Sequence, residues 1–140
     1  KEAPLSWKMR TGLFARKDFI DDHPDLTQLV VTAYVKAAQW QSEEANKDQV
    51  LQIASRGSLP VELVAQDYDD PRVPWRDRFS PLIDGFYVEH FKDVAAYTYA
   101  NKLVQKNILV DDIIDDRFVV PALKELKLET YWTPQNPVTQ

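Results

Sequence analysis

At 140 residues, 44% of them hydrophobic and 28% charged, the chain has the size and make-up of one ordinary globular domain, and no run approaches the ~18 apolar residues of a membrane span. Its net charge is −5, and its 17 lysines and arginines are scattered, so it lacks the concentrated basic run that phosphate backbones require and no nucleic-acid partner is expected. The absence of cysteine rules out disulfides, thiolate metal sites and cysteine nucleophiles, and leaves the compartment open.

Three glycines and nine prolines fit a mainly α chain, with one or two short strands, punctuated by proline. It opens on KEAPLSWKMR without an initiator Met or a signal peptide, which reads as a segment of something longer. Leu5, Trp7 and Met9 alternate with polar positions as a short strand would. The apolar run TGLFA, Thr11 to Ala15, reads as a buried strand, and Arg16 to Ile20 as one helical turn that stops before His23-Pro24. Pro24 suits the first position of a helix, where its missing N–H costs nothing, and His23 before it is pushed out of the α region. From there Leu26, Leu29, Val30, Ala33, Ala37 and Trp40 recur every three or four residues. They predict a helix to about Ser42 whose apolar stripe packs on something large.

A second helix is expected from Ala45 or Asn46 through Ile53, closed by Gly57 as a left-handed cap. A third is expected from Ser58 as N-cap to about Gln66. Residues 67–81, DYDDPRVPWRDRFSP, have neither helical nor strand period and read as an ordered Pro-rich loop. Leu82 to Lys106 carries a wide aromatic helical stripe that includes Ile83, Phe86, Tyr87, His90, Phe91 and Val94. Val110 to Ile114 then reads as an Asp-rich turn and Arg117 to Leu126 as a last short helix. No internal repeat is seen.

Enzyme signals are thin. His23 reads as a cap and His90 as a core or partner-facing residue, and two histidines are too few for a zinc cluster. The pairs Asp21-Asp22, Asp69-Asp70, Asp111-Asp112 and Asp115-Asp116 lack a calcium-loop frame and read as solvated helix ends. No phosphate loop or nucleophile elbow occurs, so no catalytic residue, metal or cofactor is expected. The segment WRDRF, Trp75 to Phe79, could grip an oxyanion through an arginine flanked by aromatics. Alternatively it is a loop pinned by Trp75, its arginines paired to Asp70 or Asp77.

The stretch LFARKDFIDDHPDLTQLVVTAYVKAAQW resembles a pattern in the substrate-binding proteins of ABC importers for nitrate, taurine and aliphatic sulfonates. There a short apolar strand leads to a D/E-F-x-x-x-H-P-D/E-L turn and a helix ending in A-x-x-W. Asn46 to Ala54 is similar to that family's V-x-x-I/L-A helix, and Arg76 to Asp112 to its R-x-R, long helix, G-L-I, V-D-D-L order. The resemblance implies the C-terminal part of a two-lobed type II periplasmic-binding-protein α/β fold, with residues 1–140 a single domain or fragment. It also implies a solute-binding role, capturing a small anion for a membrane permease, in the periplasm or on a lipoprotein anchor. Apolar faces would then be exposed or covered by a second copy, a homodimer. Phe91 and Lys92 stand where sulfonate binders often carry glutamines, Lys102 where the family favours glycine and Gln105 where it often has proline. The expected ligand contacts are Thr11 as a strand-end hydroxyl, Arg78 as an anion fork, Phe86 as an apolar wall and His90 as a switchable donor. Two other readings stand beside this one. A thiamine-pyrimidine-precursor synthase on the same fold needs a reactive histidine and an iron-binding cysteine or histidine cluster; a helical interaction module needs no ligand.

Overall fold

The computed structural model describes Arg10 and residues 12–136. Among the described residues six α-helices follow one another: α1 (Lys17–Asp22), α2 (Pro24–Ser42), α3 (Lys47–Ser55), α4 (Val61–Tyr68), α5 (Gly85–Ala100) and α6 (Val119–Leu126). Short 3₁₀ turns lie at Glu44–Asn46, Trp75–Phe79 and Val110–Asp112. Among the described residues there is no strand.

The helix boundaries follow from local chemistry. Pro24 stands at the start of α2 as expected, and His23 before it has φ −134° and ψ 57°, outside the helical region. His23 contributes its carbonyl, which accepts the Thr27 backbone N–H and hydroxyl, each at 2.9 Å. Its ring does not cap and instead meets the Phe19 ring at 5.2 Å. α3 closes on Arg56 and Gly57, both left-handed, at φ 46° and 68°. The Ser58 hydroxyl donates back to the Ser55 carbonyl instead of capping the next helix, so α4 starts only after Pro60. α5 starts where the Asp84 carboxylate accepts the Tyr87 N–H at 3.0 Å. It ends at Ala100, short of the expected Lys106, because Lys102 turns left-handed at φ 56° and Leu103, in solvent, has nothing to pack on.

Among the described residues, two apolar clusters hold α2 to α6 and α3 to α4. In the first, Val35 and Ala38 of α2 pack on Val119, Ala122 and Leu123 of α6, with Leu128 and Trp132 behind them. Each large side chain buried this way contributes about 1.5–3 kcal/mol. In the second, Val50 and Leu51 of α3 meet Val64 of α4 and Trp75, backed by Tyr68 and Phe79. The last turn of α2 joins the two clusters: the Trp75 indole N–H donates to the Gln41 carbonyl at 3.0 Å, and that of Trp132 to the Ser42 hydroxyl at 2.9 Å.

Two expectations need correction. The stripe Leu26, Leu29, Val30, Ala33, Ala37 and Trp40 faces solvent, with Leu29 68% exposed. The covered row is Val31, Val35, Ala38 and Ser42, spaced four, three and four residues apart, because α6 and the Trp75 turn both pack against that side. The strand expected at Thr11 to Ala15 is also absent over residues 12–15. Those residues are irregular, Leu13 to Ala15 are exposed, and no ladder partner lies among the described residues. The strand expected at Leu5 to Met9 lies outside the described residues.

Candidate ligand-binding site

The start of α5 gathers a buried polar cluster. Asp84 does three jobs: Oδ1 caps Tyr87, Oδ2 accepts the Gln135 N–H at 2.8 Å, and the carboxylate forms an ion pair with the Arg10 guanidinium. Arg10 is 8% exposed, and its guanidinium carbon lies 5.3 Å from the Phe86 ring centroid and 5.8 Å from that of Tyr87. Nη2 of Arg10 is used on Asp84, while Nε and Nη1 have no hydrogen-bond partner among the described residues. Leaving buried donors unpaired costs about 1–3 kcal/mol, more when the group is charged.

Next to this cluster is a cavity of about 100 Å³ whose walls include Gly12, Leu13, Tyr34, Ser80, Tyr87 and Phe118. Gly12 leaves room for Tyr87, because a Cβ at this position would meet the Tyr87 hydroxyl and force that side chain to move. Burial pushes the Tyr34 and Tyr87 phenols up, so both remain neutral hydrogen-bonding groups well past pH 7. Asp115 also borders the cavity. Arg117 holds it through Nε at 2.9 Å and Nη2 at 2.7 Å, which keeps its carboxyl below the usual range.

Phe86 and His90 sit four residues apart on α5, both buried, with the Arg10 guanidinium over Phe86 and the His90 ring edge-on to Phe91 at 5.5 Å. Thr11 lies outside the described residues. Arg78 is engaged in another part of the fold, where its Nη2 donates to the Asp70 carbonyl at 2.5 Å and desolvation lowers its pKa. In the same 3₁₀ turn Arg76 lies over Tyr131 at 5.2 Å, and the Asp77 carboxylate accepts the Thr133 N–H at 3.0 Å. The expected pairing of Arg76 or Arg78 with an Asp carboxylate gives way to these contacts. Asp70, expected in solvent, is buried and gripped by Arg72 through Nε at 3.0 Å and Nη2 at 2.8 Å. Among the described residues no three or more His, Cys, Asp or Glu side chains gather as metal ligands. Sequence reasoning missed Arg10, whose one visible signal is its place just before the TGLFA run.

Neither protein-family models nor curated proteins give a match to the chain. Among solved structures it is similar to one described as the periplasmic sulfonate-binding protein SsuA of a sulfonate ABC transporter from Methylobacillus flagellatus KT. Identity is 37% and the TM-score 0.86, over 90% of this chain and 38% of that one. The chain therefore shares the fold of a segment of a periplasmic binding protein, and spans 38% of that protein's length.

Proposed function

We propose that the chain is part of the solute-binding component of an ABC importer, which captures a small organic anion and passes it unchanged to a membrane permease. The observation that carries this reading is the 37% identity and TM-score of 0.86 with a periplasmic sulfonate-binding protein over 90% of the chain. The buried start of α5 supports it, since Arg10 lies over the Phe86 and Tyr87 rings there, beside a cavity lined by the Tyr87 hydroxyl and by that of Tyr34 from α2, surroundings that suit an oxyanion with an apolar tail. The ligand class is a sulfonate, taurine or a nitrate-like ion, the compartment is the periplasm, and Phe86 and His90 are the contacts on α5. Thr11 and Arg78 are further proposed contacts. Among the described residues no helix is long and apolar enough to cross a membrane.

The test is a melting and calorimetric titration of the full-length protein against ethanesulfonate, taurine and nitrate. A true ligand at a hundred times its Kd adds about 2.7 kcal/mol of stability. No change in midpoint and no heat with all three would overturn the reading.

A further inference from the structure

We propose that the open face of α2 is an internal interface of a longer protein, the seat on which the remaining part of the same polypeptide packs. Leu26, Leu29, Val30, Ala33, Ala37 and Trp40 form one exposed row, with Leu29 68% and Leu26 and Val30 each 49% exposed. At 1.5 Å and 100° per residue, the row is about 21 Å long and about 100° wide, the size of the stripe a globular helix turns toward a core. Yet the covered side of α2 is the opposite one, where α6 and Trp132 pack. The helix is therefore apolar enough to be covered twice, and the described residues cover it once.

The middle of the row has a shape as well as an apolar character. Ala33 and Ala37 lie one turn apart, with Leu29 and Val30 before them and Trp40 after. They leave a shallow seat where a partner's side chains insert and its backbone approaches closely.

Length names the occupant. The chain spans 38% of the sulfonate-binding protein whose fold it shares at 37% identity, so the larger part of that fold lies outside these 140 residues. That part needs an apolar face of this segment to pack on. Charge argues against two other occupants. Asp22 and Asp25 flank the first turn of α2 and Glu43 and Glu44 its end, all exposed, and Lys36 is the one basic residue of the helix. A second copy packed row against row, parallel or antiparallel, sets acids against acids at both ends. An anionic lipid surface repels the same four carboxylates. The inference rests on the shared fold and not on any ligand, so it can fail while the solute-binding reading stands.

The test is thiol labelling of the full-length protein carrying Leu29→Cys or Ala33→Cys, with the label located by peptide mass. Reaction with a small neutral maleimide is expected to be at least about tenfold slower than in the urea-unfolded variant, because a covered thiol reacts only when the structure opens. The protection is expected to be the same at low and high protein concentration and without lipid. Oxidation of Leu29 and Trp40 by hydroxyl radicals in the wild type makes the same comparison without a substitution, and decides should neither variant fold. Protection lost on dilution, or oxidative cross-linking of two copies through the introduced thiol, overturns the inference in favour of a second copy. Protection that appears only with anionic vesicles overturns it in favour of a membrane. A rate near that of the unfolded chain leaves the row in solvent and overturns it outright.

Discussion

The two faces of α2 are both apolar, yet the fold treats them oppositely. On one, Val35 is 0% exposed and Ala38, Ser42 and half-buried Val31 pack beside it against α6 and Trp132. On the other, Leu26, Leu29, Val30 and Trp40 stand in solvent. Periodicity shows that a helix has an apolar row but not which of two rows is covered. That depends on where partners attach, and here α6 and Trp132 arrive about 80 to 90 residues later in the chain.

The largest way to break this contrast is Trp132→Ala, which empties the buried side and strips the Ser42 hydroxyl of its indole donor. A loss of about 3–5 kcal/mol is expected, read as a shift in urea midpoint at constant slope. Val35→Ala on the same face is expected to cost about 2 kcal/mol. Its counterpart on the open face, Leu29→Ala, should change the stability of the chain by no more than about 0.5 kcal/mol. The same substitution in the full-length protein sharpens the comparison, since a cost near 2 kcal/mol there would show that the stripe is covered.

The smallest effect is on a polar edge. Arg117→Gln releases Asp115, whose carboxyl is held low mainly by the Arg117 side-chain hydrogen bond. A carboxyl depressed in the folded state adds stability above its unfolded value, near 3.8, and that gain fades as the pH falls toward the folded value. The variant should therefore lose the steepening of stability below about pH 4 and behave like wild type below the folded value. Carboxyl ¹³C titration of Asp115 should show its midpoint rise.

The legible parts of the fold were those written in local chemistry. Pro24 marks the start of α2 because proline belongs in a first turn, and the αL turn at Arg56 and Gly57 falls where a left-handed glycine was expected. The strand at Thr11 to Ala15 was misread because an apolar run becomes a strand only when another strand satisfies its backbone. The buried cluster at the start of α5 was legible only in part. Phe86 and His90 stand out on a helical stripe, whereas Arg10 finds Asp84 across 74 positions and is invisible to any window of the sequence. Arg78 reads as an anion fork from its neighbours Trp75 and Phe79, and in the folded chain its Nη2 also holds the Asp70 carbonyl, a contact that no sequence window shows.

The joint at the end of α2 also makes the chain a spectroscopic instrument. Of its four tryptophans, Trp40 rides on that helix, and Trp75 and Trp132 are bonded to its last turn from two separate segments. Emission excited near the red edge of indole absorption is therefore weighted toward this one junction. A blue emission maximum that reddens before far-ultraviolet ellipticity falls would report the two apolar clusters parting while the helices persist.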